Sequence, residues 1–357
     1  PDIKKITNKK MKAYQVEEPG LPLKENEFDA PVPKGTEILM KTIACGVCHS
    51  DVHIHEGHFD LGGGNKLPMP IPTPYTLGHE IFGEVIEMGD NVEGIEKGQQ
   101  FVIFPWIGCD ECNVCKEGNG NLCNAPNNLG IQTAGGFGDH VLVPHSKYLF
   151  DKGDIPSELA GSYACSGLTS YSALKKIAPI NSNNSLVIIG AGGVGMMALQ
   201  IAQAAFSINP IVVDIDDAKL NLAKDSGASA VYNSSKEESF MEIFEATGGG
   251  AISVIDFVGA ESSANLGYNL LRKGGTLVIV GLFGGQISIP LPMIPIMSKN
   301  LLGSYVGNLQ EMSELMELVK AGKVDPIPVV SRPAAEANQT LTDLKEGKIL
   351  GRASLIY

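Results

Sequence analysis

The sequence lacks long apolar runs and is poor in basic residues. Its 357 residues include 27 Lys and Arg against 40 Asp and Glu, which gives a formal net charge of −13. No segment is long and apolar enough to span a bilayer, and the first ten residues contain no apolar signal core. A strongly acidic chain repels a phosphate backbone, and the only basic cluster is that N-terminal tip. These absences argue against a membrane or nucleic-acid partner and predict a cytoplasmic protein.

A disulfide framework is also unexpected. The chain has seven cysteines, an odd number, and it shows no export signal. Metal ligands or buried thiols are therefore the expected roles of these cysteines. The length is sufficient for two domains, each with its own core.

Four of the cysteines lie within fifteen residues, at spacings of two, two and seven intervening positions. They are Cys109, Cys112, Cys115 and Cys123. Thiolates this close can surround one zinc ion, and four sulfur ligands leave no position for substrate. The polar, glycine-containing segment has little apolar material with which to pack. The spacing therefore predicts a structural zinc lobe at about residues 105–125, in preference to free thiols, a disulfide pair or an iron–sulfur cluster.

Two kinds of pattern divide the chain. Residues 11–150 show short β segments between turns rich in Gly, Pro and Asn, whereas apolar strands and helices alternate from about residue 185. The alternation predicts a doubly wound parallel sheet in an α/β fold. The predicted strands are Lys12–Val16, Glu37–Ile43, Ile81–Met88, Gln100–Phe104, His140–Val143, Ser185–Ile189, Ile211–Asp214, Ala230–Tyr232, Ser253–Phe257, Thr276–Val280 and Gly351–Ile356. The predicted helices are Met196–Ala205, Ala218–Ser226, Phe240–Ala246, Ser262–Leu271, Met312–Lys320 and Ala335–Glu346.

A glycine-rich turn follows the first strand of the alternating region. Gly190, Gly192 and Gly195 form the pattern Gly-x-Gly-x-x-Gly directly before a predicted helix. Glycines let the backbone approach a pyrophosphate, whose charge then lies at the helix N-terminus. The next strand ends at Asp214, nineteen residues after Gly195, where a carboxylate can bind the ribose hydroxyls and repel a 2′-phosphate. The turn therefore predicts NAD binding in preference to NADP.

The remaining cysteines and histidines suggest a second metal site. Cys45 and Cys48 lie in a Cys-x-x-Cys pair, His79 lies in Gly-His-Glu, and Cys165 comes much later. Two thiolates and one imidazole would leave a fourth ligand position open, as a catalytic zinc requires. Spacing alone does not show that these residues meet, and Cys45 and Cys48 could also form a metal or redox pair.

Several motifs in a fixed order resemble the zinc-dependent medium-chain alcohol dehydrogenases over essentially the whole length. They are Gly-Val-Cys-His-Ser-Asp, Gly-His-Glu, the four-cysteine lobe, Cys-Ser-Gly-Leu-Thr, Gly-Ala-Gly-Gly-Val-Gly and Gly-Ser-Tyr-Val-Gly-Asn. The resemblance implies a GroES-like β-rich catalytic domain in residues 1–160 and 301–357, and a Rossmann NAD-binding domain in residues 161–300. It also implies two zinc ions per chain, one catalytic and one structural, with NAD as the cofactor.

The resemblance assigns the catalytic zinc ligands to Cys48, His79 and Cys165, and leaves Cys45 as a spare thiol. It also assigns a role to each of four neighbours. Ser50 would bond the reacting alcohol, His53 would be the base at the end of a relay through the cofactor ribose, Asp51 would orient His79, and Glu80 would lie behind the metal.

The same comparison matches a set of residues to the cofactor. His49 and Arg352 correspond to pyrophosphate contacts, Lys219 to an adenosine ribose contact, and Thr169 and Val280 to the nicotinamide pocket. The full set of matched cofactor residues is His49, Thr169, Gly190, Gly192, Gly193, Val194, Gly195, Asp214, Lys219, Val280 and Arg352.

The expected reaction is interconversion of primary alcohols and aldehydes, because a cysteine stands as third ligand where polyol dehydrogenases have glutamate. An insertion at residues 56–68 is similar to that of bacterial 6-hydroxyhexanoate dehydrogenases and suggests medium-chain, aromatic or ω-hydroxy acid substrates, with Lys66 a carboxylate partner. Rival interpretations are an enone or quinone reductase and a regulatory or structural protein that binds zinc and NAD. The exposed apolar loop Pro290–Met297 predicts a subunit contact in a homodimer or homotetramer. Trp106 is expected to be structural or part of the pocket wall.

Overall fold

A computed structural model describes residues 9–177 and 186–357 of the chain. Ser185, the first residue of one predicted strand, and the basic tip up to residue 8 lie outside the described residues. No helix within the described ranges is long and apolar enough to cross a membrane.

The N-terminal part of the chain is built mainly from antiparallel strands. A three-stranded sheet has the order β2-β1-β6, a larger sheet has the order β10-β8-β7-β3-β18-β17 with β9 on β3, and β4 and β5 form a separate hairpin. The last two strands of the chain return to this larger sheet, where β18 pairs with both β3 and β17. The strands are β1 (Lys10–Val16), β2 (Lys24–Asp29), β3 (Ile38–Val47), β4 (His58–Gly62), β5 (Asn65–Pro68), β6 (Tyr75–Thr76), β7 (Glu80–Met88), β8 (Gln100–Ile103), β9 (His140–Val143), β10 (Leu149–Phe150), β17 (Val329–Pro333) and β18 (Arg352–Ile356).

The middle of the chain forms a parallel sheet of six strands. Its order, β13-β12-β11-β14-β15-β16, is the doubly wound order of dinucleotide-binding folds. The central strand β11 is wholly buried, as a strand covered on both faces must be. The strands are β11 (Leu186–Ile189), β12 (Ile211–Asp214), β13 (Ala230–Asn233), β14 (Ala251–Asp256), β15 (Leu271–Ile279) and β16 (Asn300–Gly303).

Helices cover the parallel sheet and join it to the β-rich part. Helix α5 begins at the glycine-rich turn and buries Met196 to Ala202 against the sheet. Helices α4 and α10 pack together beside it through the hydrogen bond from Tyr171 to Glu314 at 2.8 Å. The helices are α1 (His49–Glu56), α2 (Asn113–Lys116), α3 (Ser157–Ala160), α4 (Ser166–Ile177), α5 (Gly193–Phe206), α6 (Asp217–Asp225), α7 (Ser239–Ala246), α8 (Glu261–Leu270), α9 (Met293–Met297), α10 (Leu309–Lys320) and α11 (Ala337–Lys345).

The fold confirms the predicted combination of a β-rich part with a doubly wound parallel sheet, and it corrects details. The segment Pro290–Met297 is not simply a loop, because it contains the short exposed helix α9. The strand predicted at Glu37–Ile43 continues to Val47. The parallel sheet has a further strand, β16, that the sequence patterns did not indicate. One large apolar core runs through both parts of the molecule.

Candidate active site and metal centres

Three residues from distant parts of the sequence meet in the interior. Cys48 ends the loop between β3 and α1, His79 immediately precedes β7, and Cys165 immediately precedes α4. Their ligand atoms, with a carboxylate oxygen of Glu80, all lie within 4.8 Å of one another, and Cys165 Sγ is 3.3 Å from His79 Nε2. We call this group the interior cluster. Cys45 belongs to neither of the two metal-ligand groups found among the described residues.

The glycine directly before His79 occupies a position where no side chain fits. Gly78 has a φ of +96°, in the left-handed region that favours glycine, and a Cβ there would lie 2.8 Å from Cys45 Sγ. A larger residue at position 78 would therefore displace the neighbouring core. The Gly-His-Glu motif needs its glycine for this packing reason.

Asp51 supports the cluster from helix α1. Its carboxylate accepts the Cys48 backbone N–H at 2.9 Å and the Gly78 backbone N–H at 3.3 Å, and its Oδ1 lies 3.3 Å from His79 Nδ1. The last contact does not meet hydrogen-bond geometry, so it is a charge contact. Burial lowers the pKa of His79, but the contributions of Asp51 and Cys48 together outweigh burial and raise that pKa well above 6.5. Asp51 thus favours one orientation of the imidazole.

Glu80 and Arg352 form a fully buried ion pair behind the cluster. Glu80 also accepts a hydrogen bond from the Ser162 hydroxyl at 3.0 Å. The guanidinium lies against the glycine-rich turn, because a Cβ on Gly193 would clash with the Arg352 side chain. Arg352 therefore lies between the interior cluster and the expected pyrophosphate position.

The donor atoms of the interior cluster fit a zinc ion. A hydrogen bond from Cys165 lowers the pKa of Cys48 well below 9.0 despite burial, which favours the thiolate that a metal binds. Two cysteine sulfurs and one imidazole nitrogen are a known donor set for catalytic zinc. Burial instead raises the pKa of Cys45, and its thiol faces the Gly46 carbonyl at 3.5 Å.

The four-cysteine lobe also has the geometry of a metal site. Cys109 Sγ lies 4.0 Å from Cys115 Sγ, and Cys112 Sγ lies 3.9 Å from Cys123 Sγ. A disulfide requires about 2.05 Å. A tetrahedron with Zn–S bonds of about 2.3 Å places its sulfurs roughly 3.8 Å apart. The N–H groups of Glu111 and Cys112 lower the pKa of Cys109 to about 6, which favours the thiolate that a metal needs.

Ser50 and His53 lie on helix α1, one turn apart and therefore on the same face. Both side chains are partly exposed, and the His53 ring is 5.1 Å from the Phe59 ring. Burial lowers the pKa of His53 below 6.5, which keeps its imidazole neutral at pH 7. His49, which begins the helix, is exposed.

The glycine-rich turn has the form that a dinucleotide site requires. Gly190 has a φ of +100°, and a Cβ on Gly195 would clash with the Gly190 carbonyl oxygen. Asp214 ends β12 and accepts the Ala191 backbone N–H at 2.7 Å, so its carboxylate is held against the turn. Helix α5 then begins at Gly193 with its N-terminus toward the turn.

The other residues matched to the cofactor lie on helices α4 and α6 and directly after β15. Lys219 is in the first turn of α6, which follows Asp214. Thr169 is buried in α4 and donates its backbone N–H to the Cys165 carbonyl at 2.8 Å. Val280 follows β15 and donates its backbone N–H to the Asp256 carbonyl at 2.9 Å.

Two aromatic residues complete the surroundings of His79. The Trp106 ring lies 5.3 Å from the His79 ring, and its Nε1 donates to the Ala164 carbonyl at 2.8 Å. The Tyr305 ring meets the Trp106 ring edge to face at 5.9 Å. The sequence motif contained Tyr305, but no pattern indicated that it would face Trp106.

The insertion at residues 56–68 forms the β4-β5 hairpin. With the loop after β15, it lines a cavity of about 690 Å³ whose charged residues include Lys66, Asp60 and Glu261. The Asp60 carbonyl accepts the Gly285 backbone N–H at 3.3 Å, so the hairpin bridges to the nucleotide sheet. Because the carboxylates of Asp60 and Glu261 line the same cavity as Lys66, the charges of the cavity do not indicate an anionic ligand.

Comparisons with known proteins agree with this arrangement. Residues 34–154 match the family described as "Alcohol dehydrogenase GroES-like domain", and residues 193–321 match "Zinc-binding dehydrogenase". An NAD-dependent alcohol dehydrogenase of Sulfurisphaera tokodaii is 39% identical over 350 residues, covering 97% of this chain and 100% of that protein. An alcohol dehydrogenase of Geobacillus stearothermophilus is 35% identical, covering 97% and 98%.

Solved structures are also similar to this chain over nearly its whole length. The alcohol dehydrogenase of Aeropyrum pernix is 31% identical with a TM-score of 0.87, covering 97% of this chain and 100% of that one. The acetophenone reductase of Geotrichum candidum, solved with NAD, is 29% identical with a TM-score of 0.86, covering 98% and 97%. The chain belongs to the zinc-dependent medium-chain alcohol dehydrogenase family, as its motifs predicted.

Proposed function

We propose that the protein is an NAD-dependent zinc alcohol dehydrogenase that interconverts primary alcohols and aldehydes, with Cys48, His79 and Cys165 as the catalytic zinc ligands. The observation that carries the assignment is the meeting of these three donors beside the helix that bears Ser50 and His53. Relatives named NAD-dependent alcohol dehydrogenases along the whole chain support the reaction and its cofactor. The bacterial 6-hydroxyhexanoate subgroup stays a prediction.

The chain's own residues account for proton movement and orientation. When bound, zinc supplies a Lewis acid that lowers the pKa of an oxygen ligand from about 16 toward about 7, and NAD supplies the hydride acceptor. Ser50 can accept the alcohol proton as it gives up its own hydroxyl proton, and the neutral His53 on the same face of α1 can take up the relayed proton and release it to solvent. Asp51 fixes His79, and Glu80 balances the charge of Arg352.

The cofactor contacts follow from the glycine-rich turn and its neighbours. The turn and the N-terminus of α5 suit a pyrophosphate, with Val194 in the first turn of that helix and Arg352 alongside. Asp214 stands where the ribose hydroxyls of NAD would bind and where a 2′-phosphate would be repelled. His49, Lys219, Thr169 and Val280 remain the proposed additional contacts.

The four-cysteine lobe is proposed to hold a second, structural zinc. Its sulfur spacings and the backbone N–H groups that face Cys109 and Cys123 support this role. The seven cysteines are all unpaired thiols, which supports a reducing compartment such as the cytoplasm.

We further propose the two-domain division predicted above. Strands β17 and β18 in the larger antiparallel sheet support the assignment of the C-terminal segment to the catalytic domain. Strand β16 argues for placing the second boundary after Gly303, because it completes the parallel sheet.

A homo-oligomer is proposed through the exposed edge of that sheet. Strand β16 is the edge strand, and it exposes Leu301, while the neighbouring segment exposes Leu291 and Ile296 to 76% and 61%. An exposed apolar edge strand is a ready pairing surface for another chain. Light scattering on the parent and on Leu301→Lys checks this, since the variant should shift toward smaller species.

The test of the reaction is the absorbance of NADH at 340 nm with NAD and a panel of alcohols. The panel contains ethanol, 1-hexanol, benzyl alcohol, 6-hydroxyhexanoate and the secondary alcohol 1-phenylethanol, the last because one structural relative is an acetophenone reductase. The proposal expects faster turnover of the primary alcohols and weaker activity with NADP. No turnover in a protein that holds two zinc ions per chain would contradict an enzyme and favour a regulatory or structural role. Activity toward enones alone would favour a reductase.

A further inference from the structure

A short segment between β16 and α10 places Tyr305 against Trp106, which borders the interior cluster. Its ring meets the ring of Trp106, which itself lies 5.3 Å from the His79 ring. Trp106 is only 3% exposed, whereas Tyr305 is 41% exposed. The exposed member of this aromatic pair is therefore the one that a bound alcohol could contact.

The residue after Tyr305 has a strained backbone. Val306 has a φ of +44°, in a region where the Cβ of a β-branched residue clashes with its own backbone. It is nevertheless buried, so the side chain cannot leave without exposing apolar surface. Such a conformation persists only where surrounding contacts hold it. The position of Tyr305 thus depends on what holds its neighbours.

The four-cysteine lobe provides contacts on both sides of Val306. The Asn121 side-chain Nδ2 donates to the Tyr305 carbonyl at 3.0 Å, and the Asn308 Nδ2 donates to the Asn119 Oδ1 at 3.1 Å. Asn308 is also the N-cap of α10, where its Oδ1 accepts the Glu311 backbone N–H at 2.9 Å. The lobe therefore holds the strained segment through these two hydrogen bonds, although the lobe and the segment are far apart in the sequence.

We propose that Asn121 is a positioning residue for substrate selection: it holds the Tyr305 backbone so that the Tyr305 ring stays against Trp106 and limits the side chain of the bound alcohol. The inference rests on the proposed dehydrogenase function. It gives the lobe a second role, because the segment that its metal organises also shapes the alcohol site. The ligands most affected are alcohols with a ring or a long chain next to the carbinol carbon.

The experiment compares Asn121→Ala and Asn121→Asp with Asn124→Ala and Asn124→Asp. The aspartate keeps the side-chain size and removes the donor, and the exposed Asn124 on the same lobe serves as the matched control. Each variant is first checked for two zinc ions per chain. The readouts are KM and kcat for ethanol and benzyl alcohol, and acrylamide quenching of Trp106, the only tryptophan in the sequence.

Both Asn121 variants should change KM for benzyl alcohol by about fivefold, the size expected for one lost hydrogen bond, while KM for ethanol and kcat stay within about twofold. Quenching of Trp106 should increase, since the Tyr305 ring no longer shields it. Both Asn124 variants should behave like the parent in every readout.

Unchanged kinetics and quenching in both Asn121 variants overturn the inference. A quenching change with an unchanged KM ratio between the two alcohols overturns the role in selection, and a KM change without a quenching change overturns the route through Tyr305. If the parent oxidises no alcohol, the proposed function fails, and the quenching result still shows whether Asn121 holds Tyr305 against Trp106.

Discussion

The two groups of cysteines differ in how the chain builds them. The lobe takes its four sulfurs from one fifteen-residue segment, and three of them are partly exposed. The interior cluster takes Cys48, His79 and Cys165 from three separate elements and buries all of them. The lobe has little apolar material, so the proposed metal would be what organises it. The interior cluster is held by the surrounding sheet and helices, so its donor atoms converge through the fold.

The charged surroundings differ in the same way. Asp51, Glu80 and Arg352 are buried around the interior cluster, and burying such groups is costly unless each has a partner. The lobe instead exposes its acidic residues, and backbone N–H groups face its sulfurs. The comparison shows that the costly environment surrounds the cluster proposed to be catalytic, whereas local sulfur spacing marks the lobe proposed to be structural.

The largest expected effect tests whether the interior cluster is the catalytic site. Cys48→Ala should lower kcat/KM by more than about 100-fold, because even losing a residue behind a metal ligand costs roughly 10- to 100-fold. Metal analysis should show one zinc ion per chain instead of two, while NADH fluorescence titration still shows binding. Cys45→Ala is the matched control and should keep both zinc ions and turnover. Equal losses in both variants would support a Cys-x-x-Cys pair instead.

The second prediction concerns the support of His79. Asp51→Asn should lower zinc affinity and kcat/KM by about 10- to 100-fold, since the charge that favours one imidazole orientation is lost. Competition with a chelator measures the affinity. The exposed Asp90 supplies the control Asp90→Asn. Parent-like chelator resistance in Asp51→Asn would show that the fold alone orients His79.

A smaller effect is expected at His53, which touches no donor atom of the cluster. Because burial lowers its pKa below 6.5, the neutral base is lost only as the pH falls through that lowered pKa. The acid limb of kcat/KM should therefore have a midpoint below 6.5. His53→Gln should remove this limb and lower kcat at pH 7 by about tenfold.

The control for His53 is His55→Gln on the same helix, where the imidazole bonds the Leu21 carbonyl at 2.6 Å. Its pH profile should match that of the parent. An acid limb that survives in His53→Gln would assign the titration to another group.

The smallest effect on kcat is expected from the lobe. Cys112→Ala should leave kcat within about threefold, because no sulfur of the lobe touches the interior cluster. It should remove one zinc ion and lower Tm by roughly 5 °C or more, since metal binding contributes directly to folding. KM for benzyl alcohol should change as in Asn121→Ala. A variant with parent-like Tm and zinc content would contradict a structural metal.

The regular elements were predictable where a local pattern determines them. Strands β11, β12 and β14 are mostly buried apolar runs, and each was predicted to within two residues; α5 follows a glycine-rich turn, and its start was predicted three residues late. Helix α1 was missed because its sequence is rich in histidine and weakly amphipathic; it is fixed by Asp51 and the packing of Val52 and Ile54.

The site was less predictable from local patterns. The spacing of the four cysteines was enough to predict the lobe. Only the family resemblance grouped Cys48 with His79 and Cys165, because these residues are brought together by the fold and not by the local sequence. Asn121 and Tyr305 are 184 positions apart, and the acceptor of their hydrogen bond is a backbone carbonyl. The identity of the side chain at position 305 therefore carries no signal of this bond. The strain at Val306 is likewise invisible in sequence, since valine gives no turn signal.

The position of β18 affects the order in which the protein can assemble during synthesis. Strand β18 inserts between β3 and β17, and its first residue, Arg352, is the partner of Glu80. The ribosome therefore completes Cys48, His79 and Cys165 long before it makes the cation that neutralises the carboxylate beside them. The lobe has all its ligands by Cys123 and can capture metal while translation continues. If both proposed zinc sites bind metal, the nascent chain can load them in sequence, first the lobe and last the interior cluster.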